Sequence, residues 1–273
     1  MKKLSNVLVL CAPNGAPTPA CHETILALHK AGAVIQIGQC TSDAALTRNK
    51  QAALAYRHLM SSGGVVFDWV FWLDGDMSAP PDAVRLMISV ARALTDGGVV
   101  PSISGMYVNR HHPAGHLEVA AFALNGAVER VVAVEQLEPT APGGKSTLLH
   151  LRCVPALTGL GCFLQSAATF LAHYDESPRF VHTDINNPIA AVCQAHLIHA
   201  SELGQWVDVD RNADRAFWIA EDFDYCTREL EEGRMVYVAP ISWAHDKVIS
   251  LMPDSRTVFP GLLPPSPELD STG

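Results

Sequence analysis

The chain has 273 residues, of which 48% are hydrophobic and 17% are charged, and its formal net charge is -9. These values are typical of a globular protein with one large domain, or one and a half, and they exclude a uniformly basic nucleic-acid-binding surface. Seven cysteines occur without a Cys-x-x-Cys pair, which argues against a disulfide framework or a zinc ribbon and favours a reducing cytosol. No stretch reaches the roughly 18 apolar residues of a membrane span, and the first apolar run is too short for a signal peptide. We therefore expect a cytoplasmic protein.

The first 109 residues alternate between strand and helix patterns. In chain order, the sequence predicts a strand at 6–11, a turn-rich loop at 12–19, a helix at 22–31, a strand at 33–39, a helix from 42 or 43 to 60, a strand at 70–73, a helix at 81–94 and a strand at 99–109. This alternation predicts an α/β fold in which a mainly parallel sheet carries helices on both faces.

The pattern changes after residue 109. The sequence predicts a β-hairpin at 117–134 with its turn at Asn125-Gly126, a loop at 138–146, a strand at 148–154, a short helix at 165–174, a helix at 215–232 and a strand at 235–238. Residues 175–210 have little periodicity, so we expect a lid or an acceptor-facing insertion there.

The most informative stretch ends in two carboxylates separated by one glycine, Asp74-Gly75-Asp76. The apolar run before it predicts a buried strand, so the acids stand at the strand's carboxyl end, where open α/β sheets bind ligands. Carboxylates this close repel each other, and a hard divalent cation relieves the repulsion while leaving positions for phosphate oxygens. The alternative is a solvated corner between strand and loop, where Asp and Gly are common.

Three further features add to this pair, and each also has a structural explanation. Glu221 and Asp222 stand early in a predicted amphipathic helix, where the helix dipole also favours acids. His245 follows a predicted strand, and a lone histidine there is more often structural. Arg48 and Asn49 lie in the first turns of the predicted helix 42–60, where a solvated helical face explains them equally well.

The order of these features resembles that of the GT-A glycosyltransferases, and it is most similar to the family-2-like enzymes of bacteria and phages. The resemblance covers roughly residues 7–247, and the family pattern Glu-Asp-x-x-[Phe/Tyr]-Cys-x-Arg stands here as Glu221-Asp222-Phe223-Asp224-Tyr225-Cys226-Thr227-Arg228. It implies a GT-A, Rossmann-like sheet with a smaller acceptor-side β/loop region. We expect a nucleotide-sugar-binding half at 1–109, an acceptor-side half at 110–260 that completes the same domain, and a flexible tail at 261–273.

The same resemblance implies a metal-dependent enzyme that moves a sugar from a nucleotide-diphosphate sugar, a UDP- or GDP-sugar, to an acceptor hydroxyl. Asp76 would bind Mn²⁺ or Mg²⁺ together with His245, and Asp74 would face the ribose or reach the metal through water. Asp222 would be the general base, with Glu221 as its neighbour.

The remaining implied residues contact the nucleotide, the sugar or the diphosphate. Arg48 and Asn49 would lie near the nucleotide, the loop of Pro13 would pack on the base, Gly159 and Gly161 would let the sugar or acceptor approach the backbone, and Lys247 and Arg256 would lie on a segment that closes over the diphosphate.

Two other functions remain open at this stage. One is a nucleotidyltransferase that makes the sugar nucleotide, although the loop that such enzymes use after the first strand usually carries Arg or Lys, and residues 11–19 have neither. The other is a non-catalytic module that binds nucleotide sugars. The acceptor is either a glycan or a hydroxymethylated base in phage DNA, for which Arg110, His111, His112, Arg179 and Lys247 could form a basic patch. The stereochemical outcome and the oligomeric state are open as well.

Overall fold

The computed structural model of the protein describes residues 3–12, 16–38, 43–61, 67–107, 121–135, 148–181, 188–212, 214 and 216–245, without the side chains of Glu135 and His245. The strands are β1 Val7–Ala12, β2 Val34–Ile37, β3 Trp69–Asp74, β4 Met77–Ser78, β5 Ser102–Met106, β6 Ala121–Ala123, β7 Arg130–Glu135, β8 Leu148–Thr158, β9 Cys162–Ser166, β10 Arg179–Phe180, β11 Ile189–Ala190, β12 His196–His199, β13 Ala216–Ile219, β14 Val236–Ser242 and β15 Ala244–His245. The helices are α1 Pro19–Lys30, α2 Ala44–Ser61, α3 Pro81–Leu94, α4 Ala167–Glu176, α5 Ala200–Leu203 and α6 Glu221–Glu231.

Nine of the described strands form one sheet in the order β2-β1-β3-β9-β5-β14-β8-β6, with β7 also pairing with β8. The pairings make β8 and β9 antiparallel to their neighbours, while the other strands of this sheet share one direction. The predicted α/β fold with a mainly parallel central sheet is therefore confirmed, and β9 stands between β3 and β5 as an antiparallel exception.

The central strands are buried on both faces because successive side chains point to opposite sides of the sheet. Val9 and Phe71 join one core with side chains of α1 and α3, whereas Leu10 and Trp72 join a second core with side chains of α2, α4 and α6. The helices thus cover both faces as predicted, and the carboxyl ends of β1 and β3 emerge between them.

The start of α1 is tied to the turn that carries the two aspartates. The Thr18 side chain caps this helix by accepting a hydrogen bond of 3.2 Å from the Cys21 N–H, and the Thr18 N–H donates to the Gly75 carbonyl at 2.8 Å. The Cys21 thiol also donates to the Asp74 carbonyl at 3.4 Å. One helix terminus therefore fixes the backbone of residues 74 and 75.

Several sequence predictions for the second half are wrong. A helix was expected over 215–232, but the apolar residues Phe217, Trp218 and Ile219 instead form β13, which pairs with β12, and α6 begins only at Glu221. The Asn125-Gly126 turn is present with Gly126 at φ +67, yet the strands that flank it, β6 and β7, pair with β8 and not with each other. Residues 165 and 166, predicted to begin a helix, instead belong to β9 Cys162–Ser166, and α4 begins at Ala167.

The predicted boundary at residue 109 and the tail at 261–273 lie outside the described residues. The division into two halves therefore stays a prediction. Within the part of the chain that is described, no helix combines the length and apolar character needed to cross a membrane.

Candidate active site

Four charged side chains from three elements meet at the carboxyl end of β3. Arg48 on α2 donates from Nη2 to both carboxylate oxygens of Asp74, at 3.0 and 3.2 Å, and its Nε lies 3.9 Å from Oε1 of Glu221 at the start of α6. Asp222 follows Glu221 on the same helical turn. We call Arg48, Asp74, Glu221 and Asp222 the acid cluster, and the sequence predicted all four as site residues.

Arg48 is the cation at the centre of this cluster. Its side chain is only 7% exposed, and burial alone would lower the pKa of its guanidinium. The charges of Asp74, Glu221 and Asp222 outweigh that effect, so the pKa of Arg48 is raised above its usual value. Its Nη1 atom has no hydrogen-bond partner among the described residues, although a buried donor of this kind normally has one.

Asp222 is the carboxylate whose protonation is most affected. It is half-buried, and its Oδ1 accepts a hydrogen bond of 2.9 Å from the N–H of Phe223. Desolvation by the surrounding protein raises the pKa of Asp222 to about 6; the charges of Glu221 and Asp74 act in the same direction, and Arg48 opposes them. At neutral pH this carboxylate is therefore ionised but poorly solvated, which suits a general base.

The glycine-rich turn at 159–161 lies against the acid cluster. An aromatic residue that the sequence did not indicate, Tyr107, lies against this turn. The Asp74 N–H donates to the Gly161 carbonyl at 2.9 Å. A Cβ atom at Gly159 would lie 2.9 Å from Oδ2 of Asp222, and one at Gly161 would lie 3.3 Å from Oδ2 of Asp74. The phenol of Tyr107 lies against both glycines. Gly159 and Gly161 are thus part of the site, and Tyr107 joins it.

Of the predicted metal ligands, Asp76 lies in the turn directly before β4, and His245 lies on β15. β15 pairs antiparallel with β4, so that the backbone of His245 stands opposite Met77, the residue after Asp76. Trp243 anchors this arrangement, because its backbone N–H donates to the Met106 carbonyl at 2.8 Å and its ring fills the space beside Gly105. The side chain of His245 lies outside the described residues.

A cation fits the chemistry of this site. Three carboxylates face the single guanidinium of Arg48 in the acid cluster, which leaves an excess of negative charge when all three are ionised, and Asp76 is two residues from Asp74. Oxygen donors of this kind suit Mn²⁺ or Mg²⁺. Among the side chains that the structure describes, no three His, Cys, Asp or Glu residues form a metal-binding group. The set Asp74, Asp76 and His245 therefore stays a prediction.

Asn49 points away from the acids and holds a neighbouring segment. Its side-chain amide donates to the Cys193 carbonyl and accepts from the Cys193 N–H, both at 2.9 Å. Three more polar side chains bind the backbone beside it: His173 Nε2 lies 3.1 Å from the Val192 carbonyl, Arg228 Nη1 donates to the Ala191 carbonyl at 2.7 Å, and Asp224 Oδ2 accepts from the Gln194 N–H at 3.0 Å. We call residues 191–194 with these four side chains the backbone clamp.

The remaining predicted residues fall into two groups: most lie outside the described residues, and Arg179 is described with contacts of its own. Six of these residues lie outside the described part of the chain: Pro13, Arg110, His111, His112, Lys247 and Arg256. Their roles and the basic patch therefore stay predictions. Arg179 lies on β10, where its guanidinium stacks 4.6 Å from the ring centre of Tyr174 and pairs with Asp175 at 3.6 Å.

Comparisons with known proteins give no family assignment. No family model and no curated protein matches the chain. Among solved structures, the chain is similar to the crystal structure of A197 from STIV, at 13% identity and a TM-score of 0.31, covering 60% of this chain and 66% of that one. It is also similar to the inositol-1-phosphate CTP transferase from T. maritima, at 11% identity and a TM-score of 0.37, covering 94% of this chain and 95% of that one. At these scores and identities, neither similarity carries an argument about function.

Proposed function

We propose that this protein is a glycosyltransferase of the GT-A type, which moves a sugar from a nucleotide-diphosphate sugar to an acceptor hydroxyl. The observation that carries the proposal is the acid cluster, in which residues 26 to 174 positions beyond Arg48 converge on its guanidinium at the carboxyl end of a buried strand. Open α/β sheets bind their ligands at this end. The clustering of Asp74 with the Glu221-Asp222 pair supports the resemblance on which the sequence-based hypothesis rests.

Asp222 is the proposed general base that takes the proton of the acceptor hydroxyl. A carboxylate that is ionised at neutral pH but poorly hydrated accepts a proton more readily than a fully solvated one. Glu221 shares Arg48 with Asp74, and its charge adds to the desolvation that raises the pKa of Asp222. The acceptor oxygen would therefore approach from the side of α6.

The proposed cofactor is Mn²⁺ or Mg²⁺, held by Asp76 and His245 with Asp74 beside it. When bound, the ion would neutralise the charge that develops on the leaving diphosphate. The pairing of β4 with β15 supports this set, because it brings the backbones of residues 77 and 245 side by side from distant parts of the chain. Arg48 would keep Asp74 in place near the nucleotide.

The proposed acceptor side is the region that contains the backbone clamp. Ala191 and residues 193–195 border a cavity of about 380 Å³ that Asn49, Asp43 and Phe180 also line, and such a volume suits a small ligand. A glycan end or a hydroxymethylated base would both present a hydroxyl there. Neither acceptor is favoured over the other by the described residues.

The experiment that tests the proposed function is a thermal-shift screen of UDP- and GDP-sugars with and without Mn²⁺. We expect a nucleotide sugar to stabilise the protein only with the metal, by about 2.7 kcal/mol at a hundredfold excess over its dissociation constant. The variant Asp76→Ala should lose the metal-dependent part, and an unchanged response in that variant would show that the metal assignment is wrong.

Activity assays then separate the alternatives. Release of nucleoside diphosphate from the stabilising nucleotide sugar supports the proposal. Release of pyrophosphate from a nucleoside triphosphate and a sugar 1-phosphate would instead indicate a nucleotidyltransferase. Binding without either reaction would indicate a non-catalytic module.

A further inference from the structure

Tyr107 occupies the space that the two glycines of the 159–161 turn leave open. It follows β5 directly. A Cβ atom at Gly159 would lie 2.0 Å from its hydroxyl oxygen, and one at Gly161 would lie 3.2 Å from its Cζ atom. Neither glycine is among the described residues with positive φ. These positions therefore require glycine because the phenol fills the room of a side chain, and not because of backbone strain.

The same geometry places the phenol close to the two acids of the proposed mechanism. A Cβ atom at Gly159, which would lie 2.0 Å from the Tyr107 hydroxyl oxygen, would also lie 2.9 Å from Asp222 Oδ2. A Cβ atom at Gly161 would lie within 3.3 Å of both the Tyr107 hydroxyl oxygen and Asp74 Oδ2. The phenol therefore shares the space beside Gly159 with the proposed base, and the space beside Gly161 with the proposed ribose- or metal-facing acid.

The hydroxyl differs from the neighbouring carboxylates in the hydrogen bonds it can make. A tyrosine with an ordinary pKa of about 10 is neutral at pH 7. A neutral phenol both donates and accepts hydrogen bonds, whereas the ionised carboxylates around it only accept. A sugar ring, whose hydroxyls also donate and accept, needs both kinds of partner.

We propose that the Tyr107 hydroxyl binds the sugar being transferred and orients it between Asp74 and Asp222. This inference rests on the proposed function and assigns within it a residue that determines sugar recognition. Tyr107 acts on the sugar part of the donor, and the nucleotide part binds elsewhere in the site. Loss of the hydroxyl should therefore weaken binding of a nucleotide sugar but not of the matching nucleoside diphosphate.

The test compares Tyr107→Phe with the wild-type protein by calorimetry in Mn²⁺, with UDP-glucose against UDP and GDP-mannose against GDP. We expect the variant to bind the preferred nucleotide sugar about tenfold more weakly, which corresponds to about 1.4 kcal/mol, and to bind the diphosphate with less than a twofold change. Tyr237→Phe is the matched control, since it removes a hydroxyl from a buried tyrosine on β14 beside Asp96 and Arg130. It should leave both affinities unchanged.

The outcomes separate the two proposals. Equal weakening of sugar nucleotide and diphosphate, or no weakening of either, would overturn the role of Tyr107 and leave the proposed function standing. A wild-type protein that binds none of these four compounds would overturn both proposals for these donors.

A second measurement tests the placement of Tyr107 without any ligand. Gly159→Ala should lower the melting temperature, because its new Cβ meets the phenol hydroxyl, and adding Tyr107→Phe should recover part of the loss by removing that oxygen. The contact would be contradicted if the change in melting temperature of the double variant equalled the sum of the changes in the two single variants. Nucleotide-sugar affinity should stay low in the double variant, since the hydroxyl is still absent.

Discussion

The acid cluster and the backbone clamp start from adjacent residues of one helix, Arg48 and Asn49, and they balance their polar groups differently. In the clamp, Asp224 pairs with Arg228 at 2.7 Å, and both polar atoms of the Asn49 amide bind the backbone of Cys193. In the cluster, three carboxylates share the single guanidinium of Arg48.

The difference indicates that the polar side chains of the clamp stabilise the fold, whereas those of the cluster are arranged to bind a cation. Buried polar groups that serve stability are normally matched by partners within the protein. A group of like charges with too few counter-charges instead costs stability, and such arrangements are concentrated at functional sites. A cationic ligand would complete the cluster, whereas the clamp already contains its partners.

The largest expected effect separates two acids that stand two residues apart on α6. Asp222→Asn should reduce the rate of sugar transfer by about 10²–10⁴-fold, because the amide cannot accept the acceptor proton. Donor binding should stay close to wild type. The measurement is the release of nucleoside diphosphate, together with donor affinity by calorimetry.

Asp224→Asn is its control within the clamp. That change removes the carboxylate charge that pairs with Arg228, so it should lower the melting temperature while keeping most of the transfer rate per folded molecule. If the two variants lost transfer to the same extent, Asp222 would not be distinguished as the base.

The next effect concerns the shared guanidinium. Arg48→Met should lower the free energy of unfolding by roughly 3–5 kcal/mol, because it leaves Asp74 and Glu221 without their buried cation. Urea unfolding near neutral pH measures the change. Arg85→Met is the control, since Arg85 is equally buried at 6% exposed but pairs with the more exposed carboxylate of Asp82. A control loss as large as that of Arg48→Met would argue against a special role of the acid cluster.

Much of the fold could be predicted because its first half repeats one simple unit. Buried strands that end in turns and helices with clear start and stop residues are local signals, and they predicted every element from β1 to α3 except the two-residue strand β4. β9 was missed because it is a short strand of five residues that follows Gly161. Most of its residues are buried, so they carry no alternating apolar and polar pattern. The order of strands around β8 depends on tertiary pairing and has no local signal.

The sequence predicted which residues belong to the acid cluster, but it could not predict which contacts they make. Asp74 and Asp222 were recognisable from short motifs, whereas the opposite directions of Arg48 and Asn49 follow from their positions on α2 relative to β3 and to residues 191–194. Tyr107 had no signal, since an aromatic residue after a strand is common in any core. Only its contact with Gly159 and Gly161, more than fifty residues later, reveals a role.

A smaller effect tests the clamp directly. Asn49→Leu keeps the approximate size of the side chain but leaves the buried N–H and carbonyl of Cys193 without partners, so the free energy of unfolding should fall by about 1–3 kcal/mol. Asn125→Leu is the matched control, because the Asn125 side chain makes one partly buried hydrogen bond of 3.2 Å to Gly204. Equal losses in the two variants, measured by urea unfolding, would show that the double hydrogen bond adds nothing.

The smallest expected effect is the pH dependence that the raised pKa of Asp222 imposes on the cluster. Below its pKa of about 6 the carboxyl holds a proton and cannot act as a base, so the transfer rate should fall about tenfold per pH unit on the acid side.

The contribution of Asp222 to stability should change with pH in the opposite direction. Between the ordinary value of 3.8 and about 6 the folded state binds more protons than the unfolded state, so this group's contribution to the free energy of unfolding decreases as pH rises through that window and is constant above it.

Glu221→Gln connects this pH dependence to the charge imbalance. The Glu221 charge raises the pKa of Asp222, so its removal should move the acid limb of the rate profile to lower pH, in the same direction as a bound divalent cation would. Asp224→Asn, which leaves the cluster's own charges intact, should move the limb less. A profile of kcat/KM between pH 4.5 and 8 tests this: an acid limb that stayed in place in Glu221→Gln would mean that the charge of Glu221 does not tune the pKa of the base.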